Sequence, residues 1–276
     1  MTVLAWASAF VVIRGVGVAL SPGALALARL LVGALALGLV QTRRTWVRPS
    51  RRDWALLAGY GVLWFGGYNV GLNLAETTLD AGTTAMIVGV GPILLALAAT
   101  LVLHERLSRP LLIGVAVSFV GVLIIGVQSG ARGLADVGGV LAAVGAAVVY
   151  TLGVLCQKPV VGRLPAIQVT FLGAAIGAVA CLPFLPQLVG ELGEAPPAAI
   201  AGAVYLGLVP TALAFTTWSY ALTRLPAARL GITNYLVPPL VIVFALLAFG
   251  EVPAPLAVVG GVLCLAGVAV ARRRKN

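Results

Sequence analysis

Eight stretches of this chain run for at least 20 residues without Asp, Glu, Lys, Arg or His: 54–75, 81–103, 110–131, 137–157, 164–190, 195–223, 230–250 and 252–271. An α-helix needs about 20 apolar residues to cross the hydrocarbon layer of a bilayer. No water reaches backbone groups there, so a spanning segment is a helix or a strand of a closed barrel. Barrel strands alternate apolar and polar positions, and these runs do not. Residues 1–42 hold two further candidates, divided by Ser21-Pro22-Gly23 and each interrupted by one Arg. The expected fold is an all-α integral membrane protein with ten transmembrane helices.

Charge placement gives the orientation. The net charge of +10 could suggest nucleic acid, but the basic residues sit in short loops between the apolar runs. The loop 42–53 carries Arg43, Arg44, Arg48, Arg51 and Arg52. With that loop in the cytoplasm, fifteen basic residues fall on the cytoplasmic side, Arg132 falls outside, and Arg14 and Arg29 lie within spans. This is a positive-inside pattern. It places both termini in the cytoplasm and the chain in the inner membrane of a prokaryote. The first apolar run leads straight into a second, without the basic start of a cleaved signal. Cys156, Cys181 and Cys264 are odd in number and lie inside spans, so neither a disulfide nor a metal site is expected.

The chain also repeats itself. Shifted by 146 positions without a gap, residues 61–125 lie over 207–271, and thirteen of the 65 positions match. They include Gly61/Gly207, Pro92/Pro238, Glu105/Glu251, Gly114/Gly260 and Gly121/Gly267. Repeats are fold-level signals. The expected domains are 1–128 and 129–276, each of five spans. An odd number of spans sends the second half into the membrane from the opposite side. Inverted repeats of this kind are a transporter architecture.

Several short motifs resemble a known family. They are Trp6-Ala7-Ser8 followed by Phe10 and Arg14, then Arg29, then Pro92 and His104-Glu105-Arg106-Leu107. Gly114, Gly121, Pro238 and Glu251 continue the pattern. Together they are similar to an EamA-type member of the drug/metabolite transporter superfamily. The resemblance implies two inverted five-helix repeats. It also implies a central cavity formed mainly by spans one, three, four, six, eight and nine, with five and ten off the path. Members of this type export amino acids, aromatic ones included, or related metabolites. Tyr150-Thr151-Leu152 departs from the pattern, standing where the second half would carry a Trp-x-Ser start.

Candidate binding residues follow from polarity inside spans, since an ionisable group there marks a functional site by default. Arg14 in span one and Lys158 in span six are the first two, and snorkelling to the interface is their alternative. Arg29, about seven residues into span two, is read as structural or snorkelling. Trp64, Tyr68 and Leu72 share one helical stripe, and Asn69 and Asn73 share another. The amides should face the bundle interior, either as cavity lining or as bonds between helices. Trp218 and Tyr220 in span eight, Asn234 and Tyr235 in span nine, and Trp6 and Tyr150 complete the set. Pro92 and Pro238 are expected helix kinks.

All eight acidic residues lie at span ends or in loops. No carboxylate is evident in mid-membrane to carry a proton or pair with a cationic drug, which disfavours proton-coupled export of cations. Intramembrane Arg and Lys favour substrates with a carboxylate or other anionic group. No glycine-flanked Ser with a His partner and no phosphate-binding loop followed by Lys is present, so no enzyme is expected. The expected function is secondary export of amino acids or related small metabolites by alternating access. A lipid-carrier flippase is the alternative, ahead of a membrane enzyme. No cofactor is expected. The expected partners are a small-molecule substrate and membrane lipid, with no nucleic acid and a monomer as the working unit.

Overall fold

The computed structural model describes residues 1–91, 93–95, 98, 109–130, 134–224 and 234–271, and every regular element among them is helical. In chain order the helices are α1 (Thr2–Val16), α2 (Pro22–Gln41), α3 (Arg51–Tyr60), α4 (Tyr68–Ala75), α5 (Ala81–Val88), α6 (Arg109–Gly130) and α7 (Leu134–Val161). They continue as α8 (Ala166–Ala180), α9 (Leu185–Leu192), α10 (Pro197–Leu206), α11 (Ala214–Arg224), α12 (Val237–Phe249) and α13 (Pro255–Ala271). The expected kink at Pro92 lies outside the described residues.

Local chemistry sets the ends. Pro22 opens α2 from a first-turn position, where a missing N–H costs nothing. A capping box starts α3: the Asp53 N–H donates to Ser50 Oγ, and Asp53 accepts from the Ser50 backbone. Asp80 caps α5 by accepting from the Thr83 N–H at 2.8 Å. Gly250 ends α12 at φ 66°, in the left-handed region. At Pro183 the chain bends by 51° between α8 and α9, because proline cannot continue the hydrogen-bond ladder.

Two seven-residue π-helical segments interrupt the bundle. Gly61–Gly67 joins α3 to α4, and Gly207–Leu213 joins α10 to α11. Their starts are 146 residues apart, the shift of the internal repeat. The same shift carries the starts of α3, α4 and α6 onto those of α10, α11 and α13. Pro210 sits inside the second segment, where the wider turn spares its ring the clash an α-helix would impose.

Pro22–Gln41, Asp136–Val161 and Pro197–Arg224 are each long and apolar enough to cross a membrane, and α8 with α9 makes a fourth if the bent pair is one span. Thr2–Val16, Leu112–Ile125, Val237–Phe249 and Pro255–Gly267 are apolar but shorter. Full-length spans are thus fewer among the described residues than the ten expected. Gly17 and Gly250 mark early ends of two of the short ones. Large apolar side chains remain exposed on the outside, Leu35, Leu39, Phe119, Leu123, Val127 and Leu247 among them, as suits a lipid-facing surface.

α6 and α13 pack most closely. A Cβ at Gly121 would strike the Gly260 carbonyl, and one at Gly267 would strike the Gly114 carbonyl. Early residues of one helix meet late residues of the other, so the pair is antiparallel. Small residues allow this approach, which is how helices associate when lipid removes the hydrophobic drive.

Candidate functional site

A cavity of about 80 Å³ lies in the bundle, bordered by α1, α2, α4, α5, α7, α11, α12 and the first π segment. That is several times the room a single water needs. Six aromatic side chains line it: Trp6 and Phe10 from α1, Trp64 and Tyr68, Tyr150 from α7, and Phe215 from α11. The rings interlock. Trp6 and Phe215 meet edge-on at 5.4 Å, Trp64 and Phe215 at 5.0 Å, and Trp64 and Tyr150 are 5.2 Å apart. Such pairs hold one another in fixed geometry, each worth about 0.5–1.5 kcal/mol beyond burial. Gly153 lets the Trp64 backbone approach α7, and Tyr150 lies over Gly91, where any Cβ would overlap its ring.

Arg29 lines this cavity and is 3% exposed, so it does not snorkel. Its Nε and Nη2 both donate to Thr211 Oγ1, each at 3.2 Å. Nη1 is buried and has no hydrogen-bond partner among the described residues. No carboxylate of those residues lies within ion-pair distance of it. A buried cation without a counter-ion is costly, so this edge of the guanidinium is set up for an anion. Thr211 belongs to the second π segment, and the neighbouring Pro210 carbonyl accepts from Trp6 Nε1 at 3.3 Å. One irregular turn thus orients both the cation and the ring. π segments recur at functional sites for this reason. Asn234, at the start of a 3₁₀ turn before α12, also borders the cavity, and its Oδ1 is buried and unpaired among the described residues.

The other candidates divide. Trp6, Tyr68, Tyr150 and Asn234 line the cavity, as does Pro238. Trp218 is buried behind the wall, 5.2 Å from Trp6. Asn69 donates to the Phe65 carbonyl at 2.6 Å, and Asn73 to the Pro22 carbonyl at 2.9 Å. Asn69 thus bonds back within its own helical run, Asn73 ties α4 to the start of α2, and neither borders the cavity. Lys158 is exposed on the bundle surface. Tyr220 is 51% exposed under the Arg224 guanidinium, 4.5 Å from its ring centre. Both stand away from the cavity. Tyr235 lies in the 3₁₀ turn, with its side chain outside the described residues.

Arg14 also does not border the cavity. Its Nε pairs with Glu251 Oε1 at 3.0 Å, and its Nη1 donates to the Glu76 carbonyl at 2.9 Å. The C-terminal ends of α1, α4 and α12 converge on this guanidinium, a placement the helix dipoles favour. At the other end of the run 51–75, Arg163 pairs with Asp53. Hydrogen bonds from Ser50 first, and then Arg163, hold the Asp53 carboxyl below the usual 3.8. Between that pair and the aromatic wall lies a buried polar cluster. There Gln157 Nε2 donates to Tyr60 Oη at 3.0 Å and to Ser219 Oγ at 2.9 Å.

The pattern of the EamA-like transporter family matches residues 1–127 and 137–273, nearly the whole chain. The chain belongs to this family. The chain is similar to a probable terminal-alkyne amino-acid exporter of Streptantibioticus cattleyicolor, 39% identical over 99% of this chain and 92% of that protein. An uncharacterized transporter of Bacillus subtilis, YdfC, is 31% identical over 95% of this chain and 86% of its own length. A probable amino-acid metabolite efflux pump of Salmonella typhimurium is 26% identical over 77% of this chain and 75% of its own. A solved structure shares the fold with a TM-score of 0.63, covering 98% of this chain and 97% of that one at 21% identity. The EamA-like family is one of transporters, so the chain is a multi-pass membrane transporter and not an enzyme.

Polarity alone misplaces Arg29. Its position near the start of span two suggests an interfacial cation. Only the packing of α2 against residues some 180 positions later buries it, and no local signal predicts that contact.

Proposed function

We propose that this transporter exports amino acids with compact, apolar or unsaturated side chains. The unpaired Nη1 of Arg29 at the wall of an aromatic cavity carries the reading. In it, the guanidinium holds the substrate carboxylate, the Asn234 amide oxygen accepts from the ammonium, and the rings of Trp6, Trp64, Tyr68 and Tyr150 receive the side chain. A carboxylate bound to Arg29 replaces solvent lost on burial, and an apolar tail replaces water against the rings. Two of the relatives above are named for amino acids or their metabolites, which supports the same substrate class.

The proposed architecture is ten spans in two inverted halves, 1–128 and 129–276, in the inner membrane with both termini cytoplasmic. The matching offsets of the π segments and the antiparallel α6/α13 pair support the inversion. The basic loop 42–53 supports the orientation. Two similar halves of opposite orientation can exchange conformations and so expose one site to either side in turn.

The test is counterflow. The full chain, reconstituted in liposomes loaded with unlabelled L-amino acids, should take up labelled L-propargylglycine, L-norvaline or L-phenylalanine saturably, and Arg29→Gln should abolish the uptake. Uptake by the wild type that Arg29→Gln leaves intact would overturn the assignment of the carboxylate to Arg29.

A further inference from the structure

Glu76 follows α4 directly, where the sequence places a span end and a loop. It is nevertheless 3% exposed, and neither of its carboxylate oxygens meets a donor among the described residues. Burying an unpaired charge costs far more than burying a neutral acid. The groups around it do not remove that cost. Arg14 on α1 donates Nη1 to the Glu76 backbone carbonyl, not to its side chain. Arg29 on α2 and Glu251 beyond α12 act on it only through space. Asp80, in the same loop, spends its carboxylate on the Thr83 N–H at 2.8 Å and the Thr83 hydroxyl at 2.6 Å.

One guanidinium therefore stands beside two carboxylates and is bonded to one. Arg14 gives Nε to Glu251 Oε1, while the second oxygen of Glu251 has no hydrogen-bond partner among the described residues. Arg14 and Glu76 come from the first family-matched segment, and Glu251 from the second. The Arg14–Glu251 pair thus ties the two segments at the end of the bundle where α1, α4 and α12 finish.

We infer that Glu76 is a proton-binding site that decides which carboxylate holds Arg14. With the proton on, Glu76 is a neutral acid, Arg14 pairs with Glu251, and this end of the bundle is latched. When the proton leaves to water, the Glu76 carboxylate, more deeply buried than that of Glu251, becomes the stronger competitor for Arg14. The guanidinium changes partner, Glu251 is freed, and the tie between the segments is lost. Charge is conserved at the latch apart from the proton released. Coupling of that proton to substrate rests on the carrier reading above. Occupancy of the site by a proton does not.

Two measurements separate these. Infrared difference spectra of the full chain in detergent, titrated from neutral to alkaline pH, should show a protonated-carboxyl C=O stretch that disappears. The stretch should be missing in Glu76→Gln, shifted in Glu76→Asp, and should persist to higher pH in Arg14→Gln, which removes the cation that favours the anion. A stretch that Glu76→Gln leaves in place, or one abolished instead by Glu251→Gln, overturns the site whatever the substrate is. In liposomes, an imposed pH gradient should drive L-propargylglycine to a concentration gradient, about tenfold per pH unit for one proton exchanged per substrate. Glu76→Gln should lose this accumulation and exchange substrate at a rate independent of pH. Accumulation that survives in Glu76→Gln overturns the coupling. Absence of all L-propargylglycine flux in the wild type would count against the proposed substrate class, while the infrared result still decides the site.

Discussion

Ser118 Oγ donates to the Cys264 carbonyl at 2.8 Å, and Cys264 Sγ donates to the Ser118 carbonyl at 3.4 Å. The two residues are 146 positions apart, so each is the other's counterpart in the repeat. A residue that touches its own counterpart, each giving what it receives, lies on a local twofold axis, as at the centre of an isologous contact. The glycine contacts obey the same relation: Gly121 meets Gly260, and their counterparts Gly267 and Gly114 meet in turn.

Substitutions at related positions of this pair should therefore cost alike. A side chain at Gly121 or at Gly267 meets backbone, which cannot swing aside. Gly121→Val and Gly267→Val should each destabilise the detergent-solubilised protein by about 1–3 kcal/mol. Thermal unfolding followed by circular dichroism would check this. A large loss in one variant and none in the other would break the local symmetry.

The repeat was legible because matched glycines stand at close helix contacts, where no other residue fits. The aromatic stripe of Trp64 and Tyr68 was legible for a similar reason, as helical periodicity aligns it. The Asn stripe has the same periodicity, yet its amides bond the Phe65 and Pro22 carbonyls. Periodicity assigns a face; it does not say whether a carbonyl waits there. Arg29 and Glu76 escape a local reading for one cause. Burial of a residue near a span end depends on which other span ends fold over it, and that is long-range information.

Removal of the hydroxyl under Arg29 should weaken substrate binding without removing the charge. Thr211 Oγ1 accepts from two of the guanidinium nitrogens, and no other described residue bonds them. Thr211→Val keeps the shape and frees those donors. Loss of one hydrogen bond to a charged group amounts to about 1.5–3 kcal/mol. The half-saturation concentration for counterflow of L-propargylglycine should rise accordingly, with a smaller change in maximal rate. Thr211→Ser should restore most of the affinity.

The Asp53–Arg163 pair gives the protein an acid-sensitive element at the opposite end from Glu251. The Asp53 carboxyl is depressed in the folded chain, through Ser50 first and Arg163 after, against 3.8 without them. Such a group stabilises the fold above its unfolded value and loses that contribution as pH falls through the folded value. Asp53→Asn should therefore unfold at lower temperature than wild type at neutral pH. The difference should begin to shrink as pH falls below 3.8 and close only once pH has passed the lower folded value, where the wild-type carboxyl is neutral as well. A gap that stays constant between neutral and acid pH would exclude the ionised carboxylate as its source.

Gly250 is where the latch depends on backbone conformation. Its φ of 66° ends α12, with its N–H bonded to the Leu246 carbonyl at 3.0 Å, and turns the chain so that the next residue, Glu251, meets Arg14. A Cβ added at this position would find no neighbour within 4 Å, so a substitution meets no steric clash and acts through φ alone. Gly250→Ala should cost about 1–2 kcal/mol if the left-handed turn is kept. Relaxation of the turn would instead move Glu251 from Arg14. Asn tolerates the left-handed region better than Ala, so Gly250→Asn should unfold between wild type and Gly250→Ala. An Arg14→Gln background separates the two contributions: the strain persists there, while any part owed to the ion pair vanishes. Equal destabilisation by Gly250→Ala in both backgrounds would assign the whole cost to the turn and none to the placement of Glu251.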